Sequence, residues 1–269
     1  SASYLSSIGR QLPTFYDRNL TAPTTSQAFA ITGGPLDGKT LTLPVFATAR
    51  PLTTYAQLTE IVSAVKSEYN AFVLQANRRF SKGLQFQASY TLSKAIDTLQ
   101  QSVTFTTNNA PYNVFDPESD RGRSNYDRRH KFVVSAVMAP RVKSGNKALN
   151  ALADGWSIAP ILQVYTGLPY DGGVSGSNGG AGSLNRSGGQ NRLVGLLERN
   201  AFTGPTVKNF DLRISRRFYL KDKMNVEFLG EVFNLPNTTH ITGLNSTMYN
   251  LSNGALAYNT AFGTITEAG

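Results

Sequence analysis

The chain has 269 residues, of which 40% are apolar and only 16% charged, a low charged fraction for a soluble surface. It contains no cysteine, which excludes disulfide frameworks and thiolate metal sites. The net charge of +9 does not indicate nucleic-acid binding, because Arg and Lys are spread along the sequence without a basic helix or dense cluster. No segment approaches the ~18 consecutive apolar residues of a membrane helix, which leaves a soluble protein or a membrane β-barrel.

The first quarter of the chain is predicted to be β structure interrupted by loops. Residues 1–5 have the pattern of a strand already under way, and residues 11–24 are predicted to be a loop. Residues 26–50 are predicted to form a short extracellular hairpin, and residues 55–65 a further strand. The short hairpin turns at Gly33-Gly34-Pro35, and Gly and Pro are residues that turns favour.

A long hairpin follows at residues 70–93 and is the clearest structural signal in the sequence. Its second strand alternates between apolar and polar positions: Leu84, Phe86, Ala88, Tyr90 and Leu92 against Gln85, Gln87, Ser89, Thr91 and Ser93. A three-residue turn over residues 81–83, with Phe80 opposite Leu84, puts Arg78 opposite Phe86. Long strands with one apolar and one uncharged polar face are typical of a transmembrane β-barrel.

The middle of the chain alternates predicted strands with predicted loops. Residues 131–139 and 156–166 are apolar and β-branched and are predicted to be strands, the first ending at Pro140. Residues 98–129 and 167–205 are predicted to be long loops, the second with a Gly-rich stretch at residues 172–190.

A second hairpin joins residues 210–219 to residues 224–234. With Leu220 opposite Met224, the register sets Arg217 opposite Glu227 and Arg213 opposite Glu231 on one face. Each opposite-charge pair of this kind contributes about 0.2–1 kcal/mol. Charges are tolerated in a wet or plugged lumen and are unfavourable against lipid, so we predict that these four residues form lumen charge pairs.

Connection length indicates how the predicted barrel is oriented, because such barrels have short periplasmic turns and long extracellular loops. The periplasmic turns are expected at 81–83, 141–154 and 221–223, and the extracellular loops at 98–129, 167–205 and 236–260. Aromatic residues near predicted strand ends are candidates for the membrane interface, namely Tyr90, Trp156, Tyr165, Phe218 and Phe233. The predicted fold class is all-β, an antiparallel up-and-down transmembrane β-barrel.

Several segments match the pattern of a known family, in order along nearly the whole chain. The longest is DPESDRGRSNYDRRHKF over residues 116–132, which contains Asp120, Arg121, Gly122, Asp127, Arg129 and His130. The others are residues 69–71, 78–97, 155–156, 166–170, 209–213, 231–237 and 262–265. Together they resemble TonB-dependent receptors of the Oar-like, carboxypeptidase-regulatory-domain-containing kind, and we call residues 116–132 the signature loop.

The resemblance implies a 22-stranded barrel with a plugged lumen in the outer membrane of a Gram-negative bacterium. Such receptors import large or scarce nutrients with energy from the inner-membrane proton gradient, delivered through TonB. We expect residues 1–269 to be the C-terminal part of one barrel domain, contributing about eight strands. The plug, the TonB-contacting segment, the earlier strands and the final strand are expected outside this stretch, and the direct partner is outer-membrane lipid.

The ionisable residues of the signature loop have two readings. Asp116, Glu118 and Asp120 are spaced like calcium ligands, but a salt network with Arg121, Arg123, Arg128 and Arg129 is favoured because a full ligand set is not visible. His130 and His240 are too few for a zinc site. No nucleophile motif accompanies His130, so we expect no catalytic, cofactor or metal residues and no enzymatic activity.

Two other classes of function remain open. Open strand edges recruit other strands, so a processed fragment of this kind is an alternative building block for a homo-oligomer, tube or filament, including an extracellular one. A secreted β-sandwich or adhesin would instead bury the apolar rows between two sheets, and it is the least favoured reading.

Overall fold

The computed structural model describes residues 1–47, 49–98, 111–140, 145–177, 191–221 and 224–269, and these ranges are almost entirely β structure. The first strands are β1 Ala2–Asp17, β2 Thr25–Thr32, β3 Thr40–Val45, β4 Thr59–Ser81, β5 Leu84–Thr98, β6 Arg121–Arg123, β7 His130–Met138, β8 Trp156–Tyr165 and β9 Pro169–Tyr170. The others are β10 Gly173–Ser177, β11 Asn191–Arg192, β12 Phe202–Thr203, β13 Val207–Lys221, β14 Met224–Val232, β15 Ile241–Leu244, β16 Thr247–Ser252, β17 Ala255–Tyr258 and β18 Ile265–Ala268.

The long strands form one antiparallel sheet, which we call the wall sheet. Its order is β1-β4-β5-β7-β8-β13-β14, and the short β6 pairs with the outer end of β5. Consecutive long strands are neighbours, as in an up-and-down meander. Among the described strands β1 pairs only with β4, and β14 only with β13. The wall sheet therefore has two strand edges within this part of the chain.

The wall sheet has an apolar face and a polar face. One row of the apolar face runs across four strands through Leu74, Tyr90, Phe132 and Val164, which are cross-strand partners in turn. Further rows join Ala88, Val134, Leu162 and Phe210, and Leu84, Met138, Ile158, Ile214 and Gly230. Alternate residues of the same strands are mainly polar, so the two-residue periodicity in the sequence has produced two chemically different surfaces.

The first long hairpin has the predicted register but a different turn. Phe72, Leu74 and Arg78 lie opposite Leu92, Tyr90 and Phe86, as the alternation predicts. The predicted pairing of Phe80 with Leu84 is wrong, because Ser81 pairs with Leu84 and a bulge lies between Arg78 and Ser81. The turn residues are Lys82 and Gly83, at φ 53° and 78°, which is the two-residue geometry that matches strand twist.

The predicted elements at the start of the chain need two corrections. Residues 11–17 are part of β1 and not of a loop. The strand predicted separately at residues 55–65 is wrong at its start, because β4 is one strand of 23 residues that begins at Thr59 and includes only residues 59–65 of it. The register of β1 shifts between Gly9 and Leu12 and again before Pro13. Bulges and an edge position are the settings in which a strand accepts proline, so Pro13 does not end β1.

Three segments beyond the wall sheet combine into a second sheet, the loop sheet, of order β11-β10-β16-β17-β2-β3. Its β2–β3 hairpin was predicted, but residues 236–260 were predicted as a loop and instead contain β15, β16 and β17. The pairings of β10 with β16 and of β17 with β2 are parallel. Such pairings join distant segments, and local periodicity does not reveal them. Of the Gly-rich segment, residues 173–177 form β10, and 178–190 lie outside the described residues.

The largest buried apolar cluster belongs to the loop sheet. It contains Phe29, Ile31, Leu36, Leu41, Leu43, Tyr112, Val174, Leu193, Met248, Tyr249, Leu251 and Leu256. Burial of this cluster is the main source of stability that the loop sheet has, because its strands are short. The loop sheet is therefore a folded unit and not a set of independent loops.

The opposite end of the wall sheet carries the short connections. Helix α1, Lys147–Ala153, joins β7 to β8, and the Asn146 side chain caps it by accepting hydrogen bonds from the Ala148 and Leu149 N–H groups. The connection between β7 and β8 was predicted without a helix, and its residues 141–144 lie outside the described ranges, as do turn residues 222–223. Within the described chain, no helix has the length and apolar character needed to cross a membrane.

Candidate functional site

The polar face of the wall sheet carries the two predicted charge pairs. Arg217 Nη2 lies 2.8 Å from Glu227 Oε2, and Arg213 Nη1 lies 3.6 Å from Glu231 Oε1. Both follow from the register of β13 and β14, which is the predicted one from Leu212–Val232 to Phe218–Val226. Only the pairing next to the turn is wrong, because Lys221 and not Leu220 lies opposite Met224.

A cavity of about 800 Å³ lies beside the Arg217–Glu227 pair at the end of the sheet that carries the short connections. Its lining includes Val137, Ser157 and Ser215, which belong to the polar face. Gly155 closes one side with a φ of 79°, and a Cβ there would lie 2.3 Å from the Arg217 carbonyl oxygen. Only glycine fits this close approach, so the start of β8 is held tightly against β13.

The charge pairs can be tested by reversal and by exchange. Glu227→Lys with Glu231→Lys sets like charges opposite each other, and we expect a loss of roughly 0.2–1 kcal/mol per pair. The matched control adds Arg213→Glu and Arg217→Glu, which restores both pairs with opposite polarity. Heat-modifiable gel migration should shift to lower temperature in the first variant and recover in the second; equal migration of all three proteins would contradict a contribution from these pairs.

The signature loop lies at the other end of the wall sheet, where it joins the loop sheet. Asp120, Gly122 and Asp127 are buried there. The Asp127 carboxylate accepts a hydrogen bond from the Ala95 N–H at 2.8 Å and pairs with Arg123 at 3.0 Å, so it ties the loop to β5.

Two arginines from the segment after the Gly-rich region complete this junction. Arg192 pairs with the Asp120 carboxylate, and Arg199 pairs with the Asp97 carboxylate; all four side chains are almost fully buried. Arg199 Nε also donates to the Asp120 carbonyl oxygen at 2.9 Å. We call Asp97, Asp120, Arg192 and Arg199 the junction network.

Burial at the junction shifts the pKa values of two side chains, Arg192 and Tyr112. Burial lowers the pKa of Arg192 to about 10, with Arg199 acting in the same direction and Tyr112 opposing it. Arg192 therefore stays cationic at neutral pH. Burial likewise raises the pKa of the Tyr112 hydroxyl to about 12, so this ring stays neutral, 5.9 Å from the Arg192 guanidinium carbon.

Gly122 allows the signature loop to approach this segment closely. It forms an isolated parallel bridge with Arg199, and a Cβ at Gly122 would lie 2.7 Å from both the Cβ and the carbonyl oxygen of Arg199. A larger residue at position 122 would push the signature loop away from the segment around Arg199, so Gly122 sets the distance across which the junction network forms.

The predicted salt network within the signature loop is wrong in its partners. Asp120 pairs with Arg192, Glu118 with Lys66, and Arg121 with Glu68, all outside the loop. Sequence reasoning missed Arg192 and Arg199 because they follow a Gly-rich stretch assigned to a loop. Their signal is the apolar run Leu193, Val194, Leu196 and Leu197 between them, which is unusual for an exposed loop. Within the described ranges, no group of three or more His, Asp or Glu side chains is arranged to hold a metal ion.

The remaining signature residues lie at the start of β7. His130 Nδ1 and the Tyr90 hydroxyl share a hydrogen bond of 2.8 Å, and the His130 N–H donates to Thr166 Oγ1 at 3.0 Å. The Arg129 carbonyl oxygen accepts from the Ser93 N–H at 3.0 Å. These contacts fix the start of β7 between β5 and β8, at the end of the wall sheet nearest the signature loop.

The five aromatic residues predicted at the membrane interface lie on different surfaces. Tyr90 is on the apolar face toward the loop-sheet end, and Trp156 and Phe218 are on it near the short connections. Phe233 follows β14 and is 74% exposed. Tyr165 lies on the polar face opposite Lys131, where the Arg128 guanidinium carbon is 4.8 Å from its ring centroid. The interface prediction requires the apolar face, so Tyr165 does not fit it.

Comparison with protein families agrees with this architecture. A family described as "outer membrane beta barrel domain" matches residues 1–195 and 186–269. Comparisons with curated proteins and with solved structures found no match. An antiparallel sheet with an apolar outer surface is what that family requires. The chain belongs to the family of outer membrane β-barrel domains.

Proposed function

We infer that this chain is part of the barrel wall of a TonB-dependent receptor that takes up a large or scarce nutrient and has no enzymatic activity. The observation that carries the proposal is a single sheet with a continuous apolar face and, opposite it, a polar face with cross-strand ion pairs. In an outer-membrane barrel the first surface contacts lipid and the second lines the lumen.

The loop sheet supports a receptor role. It is built from segments that follow β1, β8 and β14, so it lies at the end of the wall sheet opposite the Lys82-Gly83 turn. With short turns in the periplasm, this end is extracellular. The buried junction network holds the loop sheet to β5 through Asp97 and Arg199. A rigid extracellular surface of this kind suits ligand capture better than mobile loops do, because less ordering is needed on binding.

The resemblance of the signature loop to Oar-like receptors supports TonB dependence. In this proposal the plug and the TonB-contacting segment belong to parts of the polypeptide outside residues 1–269.

The test is peptide mapping of the protein purified from outer membranes, together with formaldehyde cross-linking to TonB in living cells. We expect plug peptides in the same chain and a TonB adduct whose yield falls when a protonophore removes the proton gradient. A species that spans residues 1–269 alone, with no TonB adduct, would overturn the proposal.

The strand edges favour one alternative, in which copies of this chain assemble edge to edge. Each of β1 and β14 has one neighbour among the described strands, and unpaired edges recruit other strands. Peptide mapping separates the two functions: repeated copies of a single short species, with a mass that is a multiple of it, would favour the assembly.

A further inference from the structure

We propose that an apolar groove over Gly230 is a specific binding site for an anionic phospholipid. The groove lies on the apolar face of the wall sheet, has a volume of about 500 Å³, and is lined chiefly by Trp156, Ile214, Arg216, Phe218, Phe228 and Gly230. The inference depends on the outer-membrane placement of the chain and not on nutrient uptake or TonB.

The groove exists because one position in the apolar face has no side chain. Gly230 lies opposite Ile214, and the next pair toward the turn on this face is Arg216 with Phe228. A Cβ built at Gly230 meets no atom within 4 Å. The neighbouring side chains therefore form the walls of a groove whose base is the Gly230 backbone. This space suits a hydrocarbon chain lying along the sheet.

Arg216 supplies a positive charge at one end of this groove. Its guanidinium carbon lies 5.1 Å from the Trp156 ring centroid and 4.6 Å from the Phe218 ring centroid. Contact with aromatic faces orients a guanidinium, whose N–H groups lie in its plane and match the oxygens of a phosphate. Among the described residues of β13 and β14, the acidic side chains Asp211, Glu227 and Glu231 lie on the opposite face, so the charges that these residues place on the apolar face are positive.

The order of these features along the strand matches the order of groups in a phospholipid. Arg216 and Phe218 lie nearer the β13–β14 turn than the Ile214–Gly230 pair does. The turn end is the membrane surface and the centre of the strand is the hydrocarbon region. When the phosphate group of a phospholipid binds Arg216, its acyl chain therefore lies over Gly230. Because the base of the groove is apolar, the site favours a lipid over free phosphate.

The experiment uses the complete protein, purified in detergent and depleted of lipid. Native mass spectrometry then counts retained lipid after addition of palmitoyl-oleoyl phosphatidylglycerol or of phosphatidylcholine with the same chains. We expect the protein to retain more phosphatidylglycerol than phosphatidylcholine. In Arg216→Gln the ratio of retained phosphatidylglycerol to phosphatidylcholine should fall by about tenfold, which is the size expected for one charge-assisted hydrogen bond. Gly230→Leu fills the groove and should reduce retention of both lipids.

Arg78→Gln is the matched control, because Arg78 is also an arginine of the apolar face near a short turn, opposite Phe86. It should retain lipid as the unaltered protein does. Heat-modifiable migration verifies the fold of each variant, and Gly230→Leu decides the matter if Arg216→Gln does not fold. The proposal is overturned if the unaltered protein retains the two lipids equally. It is also overturned if Arg216→Gln and Arg78→Gln retain phosphatidylglycerol equally, or if inorganic phosphate displaces the bound lipid completely.

Discussion

Replacing Arg199 with alanine is expected to destabilise the attachment of the loop sheet by about 3–5 kcal/mol, the range for breaking a buried ion pair by removing one partner. The substitution leaves the Asp97 carboxylate buried without this guanidinium. It also removes the donor to the Asp120 carbonyl oxygen. Both losses occur where the signature loop, β5 and the segment after β11 meet.

Limited proteolysis and hydrogen exchange of the purified protein measure this effect. Faster cleavage and exchange are expected in β2, β16 and β17, with little change in the centre of β5 and β7. Arg121→Ala is the control, because the Arg121–Glu68 pair is exposed on both sides and an exposed pair contributes about 0–1 kcal/mol. If both variants exchange alike, the junction network does not attach the loop sheet.

Replacing Phe29 with alanine is expected to unfold the loop sheet while the wall sheet stays folded. The Phe29 side chain is fully buried in the apolar cluster of the loop sheet. A buried Phe→Ala substitution costs about 3–5 kcal/mol through lost burial and the cavity that remains. Strands of two to eight residues have little else to compensate for such a loss.

The readout is hydrogen exchange resolved by segment. Protection should fall in β2, β3, β16 and β17 and remain in β4 and β5, whose register does not involve this cluster. Phe115→Ala, at a loop residue that is 48% exposed, is the control and should change protection little. Loss of protection in both sheets at once would show that they unfold as one cooperative unit.

Local patterns in the sequence were sufficient to predict the strand register of the two long hairpins. Alternation over residues 84–93 predicted which residues of β4 and β5 are partners, and the Arg213–Glu231 and Arg217–Glu227 pairs followed from one register. The errors in these two hairpins are confined to the turns, where Ser81 lies opposite Leu84 and Lys221 lies opposite Met224. A bulge shifts a register by one residue near a turn, and alternation carries no signal for it.

The loop sheet and the junction network were not predictable in the same way. Parallel pairing of β17 with β2 joins residues more than 200 positions apart, and neither strand identifies its partner by its own pattern. Asp120 was correctly seen as an ion-pair residue, but its partner Arg192 lies beyond a Gly-rich segment. The Gly230 groove is also a tertiary feature, since it requires Trp156 from β8 beside β13 and β14.

The amino-acid sequence alone thus determined the all-β class, the two faces of the wall sheet and the pairing of sequential strands, because a two-residue period acts between neighbours along the chain. Only the tertiary structure decided that the long connections fold into a second sheet, and that Arg192 and Arg199 fasten it to Asp120 and Asp97. The physical reason is that burial and charge pairing between distant segments depend on where the wall sheet brings those segments together.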